Sequence, residues 1–509
     1  MNRHFARHAV FLCSLAIVIL SAASALLAQT NRPAIGIFED HQDVGTVLHP
    51  GSAKYDSASG SYTISGSGEN MWFGIDDFHF VWKKVSGDVA LSADIAFVGD
   101  KGNNHRKAVL MIRQSLEGNS PSVDIARHGD GLTSLQFRDP AGADAHEVQS
   151  NVSAPRRIRL EKRGDYFYAF VTGKSGHLEP SGASTKLALT GPFYVGLGVS
   201  AHDKDATETA VFSNVKLETL PPTTDPKPVL YSALETVSIA STDRRVAYVA
   251  PAHFEAPNWS RDGSYFLFNQ DGNIYRLAVT EENPIRIPTD PSVHCNNDHG
   301  FSPDGTMIAI SDSTLNGKSV VYTLPVAGGT PHQITGNAPS YWHGWSPDGL
   351  TLAFTGQRND NFDIYSISTN GGEEKRLTTA TELDDGPEFS PDGAWIYFNS
   401  ARTGSMQIWR MHPDGSSQEQ VITDETNDWF PHISPDGKWM TFLAYEKGVV
   451  GHPPNKDVIV NLMSLTDKKI KVLAKLFGGQ GTINVPSWSP DSTRVAFVSY
   501  ELLSQESRE

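Results

Sequence analysis

The chain has 509 residues, of which 39% are hydrophobic and 20% charged, and its formal net charge is −16. That balance supports a large packed core and two or three domains, and it excludes wholesale disorder. So acidic a protein is a poor partner for nucleic acid, because binding a phosphate backbone needs a basic face.

The first 28 residues differ from the rest. Arg3 and Arg7 precede an apolar run from Ala9 to Leu20, followed by small residues up to Ala28. This order predicts a secretory signal peptide, since the run is short for a membrane span. The expected location is periplasmic or secreted, with no membrane span after signal cleavage. Loss of the two arginines would take the net charge from −16 to −18, and Cys295 would remain as the single cysteine. An internal disulfide is then impossible.

Residues 31–219 read as short strands. Val89–Phe97, Ala108–Arg113, Leu132–Arg138, Arg157–Lys162 and Tyr166–Val171 alternate apolar and polar residues between Gly, Asn and Asp turns. Helical periodicity is nearly absent, so an all-β, two-sheet sandwich is expected. Residues 78–113 and 193–215 resemble the concanavalin A-like, laminin-G-like jelly rolls of secreted bacterial proteins. That resemblance implies carbohydrate binding on a concave sheet. Trp72, Phe73, Trp82 and Tyr168 would either stack on sugar rings or fill the core. Arg113, Arg127 and Arg138 would either form a basic cleft or point outward as alternating strand charges. Residues 220–235, with Pro221, Pro222, Pro226 and Pro228, read as an extended linker.

The region 236–503 is dominated by a repeat. Ser-Arg-Asp-Gly at 260–263 is followed by Ser-Pro-Asp-Gly at 302, 346, 390 and 434 and by Ser-Pro-Asp-Ser at 489, with spacings of 42, 44, 44, 44 and 55 residues. An aromatic or apolar residue precedes each serine: Trp259, Phe301, Trp345, Phe389, Ile433 and Trp488. An apolar strand, a third strand and a Gly-containing turn follow. Four strands per period define a propeller blade. The sixth unit stops after two strands, while two unpaired strand candidates, 236–240 and 245–249, precede the first. Six blades are therefore expected, the last closed by both ends, with an inserted loop near 448–454 and a tail at 504–509.

The aromatic-Ser-Pro-Asp-Gly repeat is similar to that of TolB-type, WD40-like propellers over the whole C-terminal half. True TolB carries an α/β domain where this chain has strands, and fold alone does not choose a function. The residues before each tetrapeptide should ring the channel mouth, and they are polar. Expected ligand contacts are Glu255, Asn297, Asp298, Trp342, Asp384, Asp385, Asn427, Trp429, Gln480 and Asn484. Histidines recur at similar heights, and imidazoles converging on an axis would hold a divalent metal. Oligogalacturonate lyases of similar fold are expected to use such a site. That resemblance implies His299, His343 and His432 as ligands and His253 as a base.

The tetrapeptide aspartates read as turn formers. No Gly-x-Ser-x-Gly, Walker, Cys-x-x-Cys or His-Glu-x-x-His motif occurs. The expected protein is an exported sandwich-plus-propeller that binds a cell-envelope protein, a peptide or an oligosaccharide over its polar mouth. The alternative is a metal-dependent lyase or hydrolase of acidic oligosaccharides.

Overall fold

The computed structural model describes residues 34–222, 227–314 and 317–504. The signal segment and the tail from 505 on lie outside the described residues. The described chain is all strand apart from one short 3-10 turn, Gln480–Thr482, and none of its helices is long and apolar enough to cross a membrane.

The N-terminal half forms two antiparallel sheets. One has seven strands, with Arg157–Arg163 and Val89–Phe97 near its centre. The other contributes Phe78–Val85, Phe193–Ser200, Lys107–Arg113, Ser122–His128 and Thr133–Arg138 to a ten-stranded sheet. Strand alternation sends Leu91, Leu160 and Phe167 from the first sheet, and Leu110, Ile125 and Leu135 from the second, into one shared core. The reverse face of the larger sheet is covered too: Phe78, Phe80, Val109 and Met111 form a second cluster with Met71. Arg113 and Arg138 lie on that covered face. They are neither outward charges nor a basic cleft, because both converge on buried Asp76, Arg138 with two bonds of 2.8 and 2.6 Å and Arg113 at 3.4 Å. A buried guanidinium needs a paired carboxylate.

The C-terminal half carries five four-stranded antiparallel blades. Their turns are locked by the tetrapeptide itself. In all six copies the serine Oγ donates to the aspartate two residues on, at 2.5–2.7 Å. The same Oγ accepts the N–H five residues on, which starts the second strand. The fourth position has φ of 71–74° in the five glycine copies. Ser492 takes φ 61° at that position in the last copy, and its hydroxyl accepts the Asp436 N–H at 3.1 Å.

The expectation of six blades is corrected to five. The end pairing does form, with Val229–Ser238 against Arg494–Leu503 from Val229↔Leu503 to Ser238↔Arg494. These strands and Arg244–Ala250 do not close a separate four-stranded sheet, however. They complete the ten-stranded sheet through a parallel contact of Arg244 and Arg245 with Val148 and Gln149. The inner segment that should be the sixth repeat's first strand touches its neighbour only at Trp488↔Val495. Pro486 and Pro490 flank that bridge and have no N–H to donate to a ladder.

Candidate functional site

The innermost strands of the five blades run from one end of the channel to the other. Each carries an irregularity in its pairing: between Glu255 and Asn258, Cys295 and His299, Trp342 and Gly344, Asp385 and Glu388, and Trp429 and His432. Bulges add twist and re-aim side chains. Ala256 (φ 58°), Gly386 (φ 63°) and Phe430 (φ 56°) take the left-handed region there. For the alanine and phenylalanine that conformation costs about 1–2 kcal/mol each, strain of a kind that gathers at functional sites.

The strands begin at a polar mouth. A cavity of about 380 Å³ opens there, lined by Asn296, Asp298, Tyr341, His343, Asp385, His452 and Gln480, with Thr355, Phe362 and Leu383 on its side. At the other end the strands finish at a second mouth of about 310 Å³, where Trp259, Phe301, Trp345, Phe389, Ile433 and Trp488 meet the turn prolines Pro303, Pro347, Pro391 and Pro435, with Arg261 and Glu388 among them.

The floor of the polar mouth is a charge network. His343 Nε2 lies 3.4 Å from Asp385 Oδ1 and 4.0 Å from Asp298 Oδ1. Burial works against a charged imidazole, but Asp298 and then Asp385 outweigh it and raise the His343 pKa. Burial likewise pushes Asp385 upward, yet its bond to His343 and that ring's charge hold the carboxyl down at about 2. Asp385 Oδ1 also accepts from the Thr355 hydroxyl at 2.7 Å and the Gly386 N–H at 2.8 Å. Asp298 is raised by burial despite His343, and it accepts from Asn484 at 2.7 Å and Asn296 at 2.5 Å. Asn297 donates to Glu255 at 3.3 Å.

The structure therefore gathers Asp298, Asp385, Gln480 and His343 at the mouth, with Glu255, Asn297 and Asn484 bonded behind or beside them. Other expected contacts lie elsewhere. Trp342 and Trp429 are each 1% exposed and belong to cores between strands, and Trp342 meets the channel only at the opposite mouth. Asp384 is fully buried in a two-pronged pair with Arg402 at 3.0 and 2.8 Å. Asn427 bonds the Met406 N–H and the Val449 carbonyl, beside a neighbouring groove. His253 is exposed, with its ring on Tyr500 at 5.4 Å, and it does not line the cavity.

The three metal candidates do not converge. His432 has both nitrogens engaged, by Glu388 at 2.5 Å and by the Ile483 carbonyl. His299 is fully buried without a hydrogen-bond partner, and burial pushes it down to about 4, so its ring is neutral. Among the described residues no three His, Cys, Asp or Glu groups form a metal-binding set. Sequence reasoning missed His452, Thr355, Phe362 and Leu383. His452 arrives on the inserted loop, 3.8 Å from Asp385 Oδ2 and edge-on to Trp429 at 4.5 Å.

Five blades with this turn chemistry and a polar channel mouth define a propeller of the TolB class. The TolB beta propeller domain family matches residues 336–505. An uncharacterised protein of Agrobacterium fabrum is 49% identical over 278 residues, which is 54% of this chain and 95% of that protein. A solved TolB-type structure from Agrobacterium tumefaciens is also 49% identical and has a TM-score of 0.53, covering 53% of this chain and 99% of its own. The TolB structure from Acinetobacter baumannii is 16% identical over 56% of this chain and 77% of its own, with a TM-score of 0.40. The chain belongs to the TolB-type propeller family through its C-terminal half.

Proposed function

We propose that this chain is an exported TolB-like protein whose propeller, residues 236–503, binds a peptide segment of a cell-envelope protein over the polar mouth. The supporting observation is the 380 Å³ cavity, with carboxylates and imidazoles on its floor and Tyr341, Phe362 and Leu383 on its wall. A cleft with an apolar wall and a few convergent polar groups suits a side chain presented on extended backbone. Residues 31–219 would be a concanavalin A-like accessory unit and residues 1–28 a cleaved export signal; the linker expected at 220–235 ends by 228, because Val229–Ser238 is a fully paired strand.

Random-peptide display against the full chain tests the binding reading. Selected peptides should compete with one another, and Tyr341→Arg, which fills the cavity, should weaken them at least about tenfold, or ~1.4 kcal/mol. Peptides that bind Tyr341→Arg unchanged would overturn the reading. So would a display that yields none while a glycan array gives a mouth-dependent ligand. Export is tested by N-terminal sequencing of the periplasmic fraction. A chain starting near residue 29 is expected, and an intact Met1 in the cytosol would refute it.

A further inference from the structure

The mouth has more acceptors than its own donors can use. Asp385 Oδ1 is filled by Thr355, Gly386 and His343, but the nearest recorded neighbour of Oδ2 is His452, 3.8 Å away. Asn484 is 1% exposed. Its amide nitrogen is spent on Asp298, and its Oδ1 is buried with no hydrogen-bond partner. Glu255 adds a third carboxylate, reached through Asn297. No lysine or arginine lines the cavity. Beside these acceptors stand Tyr341, Phe362 and Leu383, which offer a ring face and an apolar wall.

We infer that the polar mouth is a receptor for a side-chain cation, the ammonium of a lysine or the guanidinium of an arginine, with its alkyl stem laid along Tyr341, Phe362 and Leu383. The inference rests on the peptide-binding reading above. Asp298 and Asp385 both face His343, so the floor holds more acids than the one imidazole between them, and a channel walled by protein strengthens that field. A positive group on an apolar stem satisfies both halves of the cavity at once: the head takes Asp385 Oδ2 beside Asp298, and the methylenes cover the wall. The face of Tyr341 adds attraction for the same charge. A bare divalent ion would use only the acceptors and would leave the wall without a role.

Ligand-observed NMR on the full chain tests this with four probes: Nα-acetyl-lysine methylamide and its arginine, norleucine and glutamate counterparts. The two cations should bind, and norleucine, which keeps the stem without the charge, should bind at least about tenfold more weakly. Asp298→Asn should weaken the cations by a similar factor. Tyr341→Lys, which tethers a cation inside the cavity, should abolish their binding while keeping the wild-type melting profile. Asp467→Asn, an exposed acid at a distant turn, should change nothing. Equal binding of lysine and norleucine, or cation binding indifferent to both Asp298→Asn and Tyr341→Lys, would overturn the inference. So would calcium chloride binding in a way that Asp298→Asn abolishes while neither organic cation binds. If display-selected peptides still need an open mouth but show no preference for lysine or arginine, the peptide reading stands and the cation inference alone falls.

Discussion

The two ends of the channel are built from the same five inner strands, yet they repeat to different degrees. The proline-rimmed end is built largely from positions that recur: the residue before each serine and the proline after it. Trp345, Phe389 and Ile433 occupy equivalent places and pack in equivalent ways. The polar end is made of positions that do not recur. Asp298, Tyr341, His343 and Asp385 come from successive blades at similar heights, but no two blades supply the same set. Where the repeats agree, the residues serve the ring. Where they diverge, the residues line the mouth proposed above as the binding site.

The comparison breaks most readily at Trp488. It is 6% exposed, belongs to the last blade's core and donates its Nε1–H to the His432 carbonyl at 2.9 Å. Trp488→Ala should cost about 3–5 kcal/mol in a denaturant melt, while peptide binding at the polar mouth, measured well below the transition, stays near wild type. Loss of binding at unchanged fold would mean that the two ends are not independent. Tyr341→Ala should show the reverse: display-selected peptides bind about tenfold more weakly, ~1.4 kcal/mol, and the melt shifts little because the ring is only half-buried.

A smaller effect is expected from pH. Burial, with Asp298 nearby, pushes the Glu255 carboxyl from 4.5 up to about 7 against its hydrogen bond to Asn297. The folded chain holds that proton more tightly than the unfolded chain does. The contribution is therefore complete below about 4.5 and is lost as pH rises through about 7. Glu255→Gln should flatten this stretch of a Tm-against-pH curve, and an unchanged slope would remove Glu255 from the mouth's electrostatics. His343 is also raised, so its contribution is present below about 6.5 and fades at higher pH; His343→Gln should flatten the upper limb. Smallest of all, His452→Ala should cost about 0.5–1 kcal/mol for its edge-on contact with Trp429. Limited proteolysis should then cut the 446–455 loop sooner.

Much of the ring could be read from the chain alone. Six tetrapeptides fixed the blade period, and the serine-to-aspartate bond explains why those residue types recur. That a strand ahead of the first repeat pairs with the last one also followed from counting strands, but the sequence places it at 236–240 and reads 229–235 as linker, whereas Val229–Ser238 forms it. Three things did not follow. The bulges that re-aim the inner strands depend on local choices, such as the left-handed φ of Ala256 and Phe430, whose residue types do not announce them. Thr355, Phe362 and His452 reach the mouth from a second strand, a hairpin and an insertion, and so lie far in sequence from the repeat that marks the mouth. The fate of the sixth unit was set by an N-terminal strand, Val148 and Gln149, whose partner across roughly a hundred residues has no sequence signal.

That shared sheet makes the two halves unequal in self-sufficiency. Val246 is a member of the N-terminal core, Val249 packs against it, and Gly182 lies close to Ala233. Expressed alone, residues 31–219 would present raw apolar surface where these side chains belong and would be prone to clump. The N-terminal half is thus an annexe that borrows one of its walls from the strands next to the ring.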